Sequence, residues 1–162
     1  MNLAHVHLLI THLPVFGSIL GAIVLAYGLY TKSTHTISAS YLLLIISALG
    51  VGISYLTGES AEELVEQIPG VSKNRIHEHE EAALFGLISL IVVGLNAILG
   101  LIFNFKNLEK ARLIAQIALI CSLFSFSVMA RVGYLGGQIR HTEIYESATT
   151  PSNGENQSDD RE

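Results

Sequence analysis

Six of the seven histidines in this sequence flank long apolar stretches, at positions where an imidazole could serve as a ligand. They are His5, His7, His12, His77, His79 and His141. Neutral imidazole is the commonest protein ligand for zinc, copper and iron, and a neighbouring carboxylate can orient its second nitrogen. If the chain between these histidines folds up and down, they meet at one end of a helical bundle. The sequence therefore predicts a metal or haem site at that end.

The predicted metal ligands are four histidines from separate segments and two glutamates that follow the second apolar stretch. They are His7, His12, His79, His141, Glu59 and Glu63. Arg131 and Arg140 are the predicted cofactor-binding residues, because a guanidinium group could hold a haem propionate. That role applies if a haem is present; the first interpretation of Arg131 is an ion pair with a carboxylate such as Glu59 or Glu63, or extension of its side chain to water.

Helical periodicity distinguishes the two histidines that precede the third apolar stretch. On a helix, His79 shares a face with Gly86, a small residue of the kind that lets transmembrane helices approach closely. His77 shares a face with Leu84, which could point to lipid. We therefore predict that His79 faces the bundle and that His77 does not.

The elements that must position these residues are four apolar stretches. Half of the residues are hydrophobic and 14% are charged, whereas about a quarter are charged in a typical soluble domain. A helix needs roughly 20 apolar residues to cross a membrane, and four stretches approach that length: Leu8–Tyr30, Ile37–Thr57, Ala82–Phe105 and Leu113–Arg131. They lack the polar stripes of a soluble bundle. The predicted fold is all-α: an integral membrane, up-down-up-down four-helix bundle.

One domain, residues 1–145, contains the four spans, and the acidic residues 146–162 are expected to be a disordered tail. Between the second and third spans, apolar side chains of Glu59–Gln67 fall on one helical side and most acids on the other. Pro69 and Gly70 then stop this segment. The pattern predicts a short interfacial amphipathic helix.

Two backbone signals lie beside predicted ligands. Pro14 lacks a backbone N–H, so the first helix is expected to begin or kink near His12. The glycine pair Gly136 and Gly137 is expected to let the chain turn back across the bundle end, which would carry His141 toward the other histidines.

The density of basic residues predicts an orientation. The loops Thr31–Thr36 and Lys106–Arg112 are short and carry four basic residues against one acid. Because basic residues close to helix ends favour the cytoplasmic side, the histidines and both termini are expected on the outer side. The lipid bilayer is the expected partner, and nucleic acid is not expected for a chain of net charge −5.

The His-x-x-x-x-His-x-Pro pattern at His7, His12 and Pro14 resembles the opening of a widespread, uncharacterised family of bacterial four-span membrane proteins. The Gly-Gly pair followed by His141 is similar, in part, to the closing segment of that family. The resemblance implies a bacterial protein, so the expected location is the inner membrane, and the density of basic residues described above places both termini on its outer, periplasmic side. Some members of the family are fused to c-type cytochrome domains, which implies a redox setting.

Together these features predict a metal- or haem-binding membrane protein that serves electron transfer or respiratory-chain support, with a respiratory or cytochrome protein as partner. The cofactor would be zinc, iron or copper, or a haem b; the glutamates favour a non-haem ion, and the redox setting favours haem. No reaction is indicated, so whether the protein is an enzyme stays open. A non-catalytic accessory or assembly subunit is the alternative, and a proton or cation pathway is the third hypothesis.

Overall fold

Five α-helices account for nearly all of residues 2–140, the part of the chain that the computed structural model describes. They are α1 (Leu3–Ile10), α2 (His12–Thr31), α3 (Thr34–Val65), α4 (Lys73–Phe105) and α5 (Ala111–Arg140). By length and composition, α1 and α2 together form one candidate membrane span, and α3, α4 and α5 form three more. The predicted all-α chain with four long apolar helices is confirmed. The predicted tail lies outside the described residues.

The helices form a closed ring. Consecutive helices pack against each other, α2 also packs against α5, and α1 packs on α3. Because neighbouring helices are antiparallel, the N-termini of α1 and α4 lie at the same end as the C-termini of α3 and α5. We call this the histidine end, and we call the opposite end, which holds the turns after α2 and α4, the loop end.

Small residues fill the helix contacts, and large apolar side chains lie outside. Gly17 and Gly21 of α2 pack so closely on α3 that an added Cβ atom would lie 2.9 Å from Ser47 Cβ and 2.6 Å from Leu44 Cδ2, respectively. Many leucine, isoleucine and phenylalanine side chains are exposed on the outer surface. This is the reverse of a water-soluble bundle, and it suits helices packed in lipid.

The helices extend further at the histidine end than the apolar stretches do. The separate amphipathic helix predicted over Glu59–Gln67 is not formed, because these residues prolong α3 to Val65. The turn predicted at Gly136 and Gly137 was also wrong, because α5 continues through both glycines to Arg140. Polar residues can continue a helix into water as long as no residue breaks it.

The first span is interrupted at Thr11, as expected from Pro14. Pro14 cannot donate a hydrogen bond to the carbonyl group of Ile10, and its ring crowds that carbonyl. The break therefore falls between α1 and α2, directly before His12. Pro14 is buried, and its own carbonyl oxygen accepts a hydrogen bond of 3.1 Å from Ser47 Oγ on α3.

Candidate functional site

His7 lies on α1 and is held by α3. Its ring is half-buried, and its Nδ1 atom lies 2.8 Å from the carbonyl oxygen of Ser54. The hydroxyl group of Thr57 lies 3.5 Å from the same nitrogen, but that hydroxyl already donates to backbone carbonyls of its own helix. The Ser54 carbonyl is therefore the group that fixes the ring.

His79 lies on α4 and is held in the same way by α5. Its Nδ1 atom lies 3.1 Å from the carbonyl oxygen of Val132. His77, two residues earlier, is exposed and lies beside Glu81, with 3.4 Å between His77 Nε2 and the carboxylate. The prediction that His79 rather than His77 faces the bundle is confirmed.

These contacts determine the tautomer of both rings. A carbonyl oxygen can only accept a hydrogen bond, so Nδ1 of each histidine must carry the proton. In the neutral ring, the lone pair is then on Nε2, which is the atom available to a metal. No described residue hydrogen-bonds to Nε2 of either ring. The two rings lie at the same end of the bundle, near enough that a positive charge on one would act on the other. The histidine end therefore contains two imidazoles whose Nε2 atoms have a lone pair and no hydrogen-bond partner among the described residues.

Each ring lies against a glycine one helical turn beyond its carbonyl partner. A Cβ atom added to Gly58 on α3 would lie 3.7 Å from His7 Cε1, and one added to Gly136 on α5 would lie 3.0 Å from His79 Cε1. His7 thus contacts the carbonyl of Ser54 and the backbone at Gly58, and His79 contacts the same two relative positions on α5. Both imidazoles occupy equivalent surroundings.

The equivalence of the two rings extends along the helices. His79 follows His7 by 72 residues, and the same offset relates His77 to His5, so the pattern His-x-His stands at the start of both halves. The contact of Gly17 with Ser47 corresponds to the contact of Ser89 with Ser125, whose hydroxyl oxygens lie 3.0 Å apart.

Burial follows the same repeat in α3 and α5. At an offset of 78 residues, seven buried positions of α3 match seven buried positions of α5. The pairs are Ile37 and Ala115, Ser40 and Ala118, Leu44 and Ser122, Ser47 and Ser125, Val51 and Met129, Ser54 and Val132, and Thr57 and Leu135. The bundle therefore consists of two similar helical hairpins related by an approximate two-fold axis along the bundle, as in parallel repeats of membrane proteins. His7 and His79 are equivalent residues across that axis.

Among the other predicted ligands, His12, Glu59 and Glu63 are exposed. The ring of His12 contacts Phe16, with 6.4 Å between ring centroids. The residue that corresponds to His12 on α4 is Leu84, which is also exposed. The outward position of His12 therefore agrees with the repeat. The structure therefore brings His7 and His79 together and does not add these three side chains to the pair.

The remaining predicted residues lie at the end of α5 or beyond it. Arg131 is exposed and forms no ion pair with Glu59, Glu63 or any other acid among residues 2–140. The side chain of Arg140 and all of His141 lie outside the described residues. Within the described part, no group of three or more His, Cys, Asp or Glu side chains is arranged to hold a metal ion. His7 and His79 are therefore two imidazoles at one end of the bundle, and no arrangement of three possible ligands includes them among the described residues.

A polar rim surrounds the pair. The side chains of Glu62 on α3 and Glu80 on α4 lie close to each other. Arg75 Nη1 donates to Glu78 at 2.8 Å and to the buried Gln138 of α5 at 3.4 Å. Sequence reasoning missed Arg75, Gln138 and both glycines beside the rings, because only helix packing reveals these contacts.

The two glycines should respond differently to an added methyl group. Gly136→Ala is expected to displace the His79 ring by a few tenths of an ångström and to weaken its bond to Val132, whereas Gly58→Ala leaves room for His7. Hydrogen exchange of the two imidazole Nδ1 protons, followed by NMR in detergent micelles, measures this. We expect faster exchange at His79 in Gly136→Ala only. Equal exchange rates in both variants and the parent would contradict the close packing of Gly136.

Comparison with known proteins gives one match. A family model described as a predicted membrane protein (DUF2231) matches residues 4–144. None of the curated proteins and none of the solved structures matches the chain. The matched segment includes the four spans and both histidines of the pair.

Proposed function

This chain belongs to the DUF2231 family of predicted membrane proteins, and we propose that its His7 and His79 bind a transition-metal cofactor at the histidine end. The observation that supports this most directly is the pair of Nδ1 contacts to the Ser54 and Val132 carbonyls. In metal-binding histidines, the N–H group of the second ring nitrogen commonly donates a hydrogen bond to such an oxygen. This bond fixes the orientation of the ring and makes the imidazole a more basic ligand.

The donor set favours a borderline metal ion. Imidazole suits zinc, copper and iron, and two imidazoles leave positions for water, for a partner or for His141, which lies outside the described residues and remains a predicted ligand. A haem b is the second candidate. It is favoured by the placement of the two histidines on α1 and α4, which are not packing neighbours, and in that case Arg131 and Arg140 remain predicted partners of the propionates.

The proposed role is electron transfer or support of a respiratory chain at the outer face of the bacterial inner membrane. Bound iron or copper would supply a one-electron redox centre. The chain itself would keep the proton on Nδ1 of each ring, so that Nε2 faces the metal, and would keep the centre at the membrane boundary. The redox role and the cytochrome-type partner rest on the resemblance to proteins fused to c-type cytochrome domains, and the outward orientation rests on the basic loop end.

The second proposal is a non-catalytic accessory or assembly subunit. It is favoured by the fact that each imidazole already joins two helices, α1 to α3 and α4 to α5. A hydrogen bond of this kind stabilises a bundle by about 0.6 kcal/mol on average in membranes. On this proposal the histidines would stabilise the packing of the helix ends through these hydrogen bonds, and no metal would be required.

Elemental analysis and an optical spectrum of the detergent-purified protein separate the two proposals. We expect about one zinc, copper or iron ion per chain, or else a Soret band if the metal is carried by haem. Preparation from cells grown with each metal in excess guards against loss of the native metal. Protein that is folded by circular dichroism but contains neither metal nor haem under all these conditions would reject the cofactor and leave the accessory subunit.

A further inference from the structure

The two hairpins differ in length at the loop end. His79 follows His7 by 72 residues, but Gly136 follows Gly58 by 78, so the second hairpin contains six more residues than the first. Three of the extra residues lie in the turn Lys106–Lys110, between α4 and α5, because the first hairpin turns with only Lys32 and Ser33. The other three prolong the adjoining ends of α4 and α5. In proteins built from repeats, such insertions often form the binding face.

An open pocket of about 270 Å³ lies between the longer turn and the shorter one. Its walls come from both turns, with Lys32 and Thr34 on one side and Asn104, Asn107 and Arg112 on the other. Asn104 connects the two sides, because its Nδ2 atom donates to the Thr34 carbonyl at 2.8 Å. The pocket thus lies where the two hairpins differ in length.

The lining of the pocket carries two basic side chains and one acidic side chain. Lys32 and Arg112 line it, and neither forms an ion pair within residues 2–140. Glu109 is the single acidic residue of the lining. The ends of two helices and the starts of two others meet here, so their dipoles largely offset each other. The attraction for an anion therefore comes from the basic side chains.

Lys32 occupies a backbone position at which glycine is the usual residue. It ends α2 in the left-handed conformation, with φ of 55°. An L-residue with a long side chain adopts this conformation at a cost, and helices most often place glycine there. A lysine at this position, rather than a glycine, is consistent with a requirement for its charge.

The pocket also lies at the level of lipid headgroups. Tyr27, Tyr30 and Phe105 surround the loop end and are mostly exposed. Aromatic side chains of this kind are enriched where the hydrocarbon core meets water. The pocket is therefore placed at the depth of phospholipid phosphate groups.

We propose that this pocket binds the phosphate group of an anionic phospholipid headgroup. Lys32 and Arg112 provide the charge, and Asn107 provides hydrogen-bonding groups next to them. The basic loop end is expected on the cytoplasmic side, whose leaflet is rich in anionic lipids. The proposal is independent of the metal site, which lies at the opposite end of the bundle.

Lipid binding to the full-length protein in detergent tests the proposal. Native mass spectrometry with phosphatidylglycerol, compared with phosphatidylcholine, is expected to show selective binding of the anionic lipid. Lys32→Gln combined with Arg112→Gln should weaken that binding about 30-fold, from the contribution of a basic residue at an anionic surface. Each single substitution should weaken it about 5-fold, and these variants serve if the double variant does not fold.

Lys106→Gln combined with Lys110→Gln is the matched control. It removes the same charge from the same turn, but neither lysine lines the pocket. This control should keep selective lipid binding. An equal loss of lipid binding in both double variants would show that general surface charge causes the selectivity, and it would contradict binding in the pocket. Inorganic phosphate that displaces the lipid at equal concentration would instead assign the site to free phosphate and overturn the lipid proposal.

Discussion

His7→Ala and His79→Ala are each expected to reduce the affinity for the bound metal by about 100-fold or more. Loss of an outer-shell partner alone costs 10- to 100-fold in metal sites, and here a ligand itself is removed. Because the two rings are equivalent across the two-fold axis, the two variants should lose similar amounts of metal. Elemental analysis after dialysis against a weak chelator measures the loss.

Three other histidines provide controls for this result. His77→Ala removes an exposed ring from the same helix end as His79, and His35→Ala removes one from the loop end. Both should retain the metal. His12→Ala tests an exposed residue that the sequence predicts as a ligand, and its exposure leads us to expect retention as well. Equal metal contents in His7→Ala, His79→Ala and the parent would remove the proposed pair.

The gathering of the histidines at one bundle end could be predicted because it depends only on the number of spans. Four spans return the chain to the same side each time, whatever the packing details. The preference for His79 over His77 could also be predicted, because small residues mark the inner face of a membrane helix. The carbonyl partners could not be predicted, since they depend on the axial positions of α1 and α4 relative to α3 and α5.

The repeat could have been found in the sequence, and it relates His7 to His79 among the predicted ligands. His5-Val6-His7 and His77-Glu78-His79 share a pattern, and Gly58 and Gly136 follow at nearly equal distances. Each single match is weak. If the second histidine of each pattern is taken as equivalent, His7 corresponds to His79. By the same offset, His12 corresponds to a leucine.

The helix ends at the histidine end could not be predicted from hydropathy. Hydropathy reports where the hydrocarbon core ends, but a helix ends only where residues break it. The segment after Thr57 is rich in glutamate and alanine, which form helices well, so α3 continues to Val65. The same argument applies to Gly136 and Gly137, because two glycines lower helix stability without forming a turn when neighbouring helices support them.

Gly100→Ala is expected to lower the free energy of unfolding by about 2–3 kcal/mol, the upper range for overpacking a core. A Cβ atom at this position would lie 2.3 Å from Tyr41 Cζ and 2.5 Å from its hydroxyl oxygen. Tyr41 is fully buried on α3, so its ring has no free space to enter. The change should therefore separate α3 from α4. Titration with SDS, monitored by circular dichroism, measures the loss.

Two further variants show whether this loss comes from the contact with Tyr41. Gly133→Ala adds a methyl group where no atom lies within 4 Å, so it should change stability by about 1 kcal/mol or less. Tyr41→Leu removes the ring atoms that clash, together with a hydroxyl that has no hydrogen-bond partner among the described residues. In that background Gly100→Ala should cost little, because mutations of contacting residues are not additive. A full cost in the Tyr41→Leu background would show that Gly100 is required for another reason than close packing of α3 on α4.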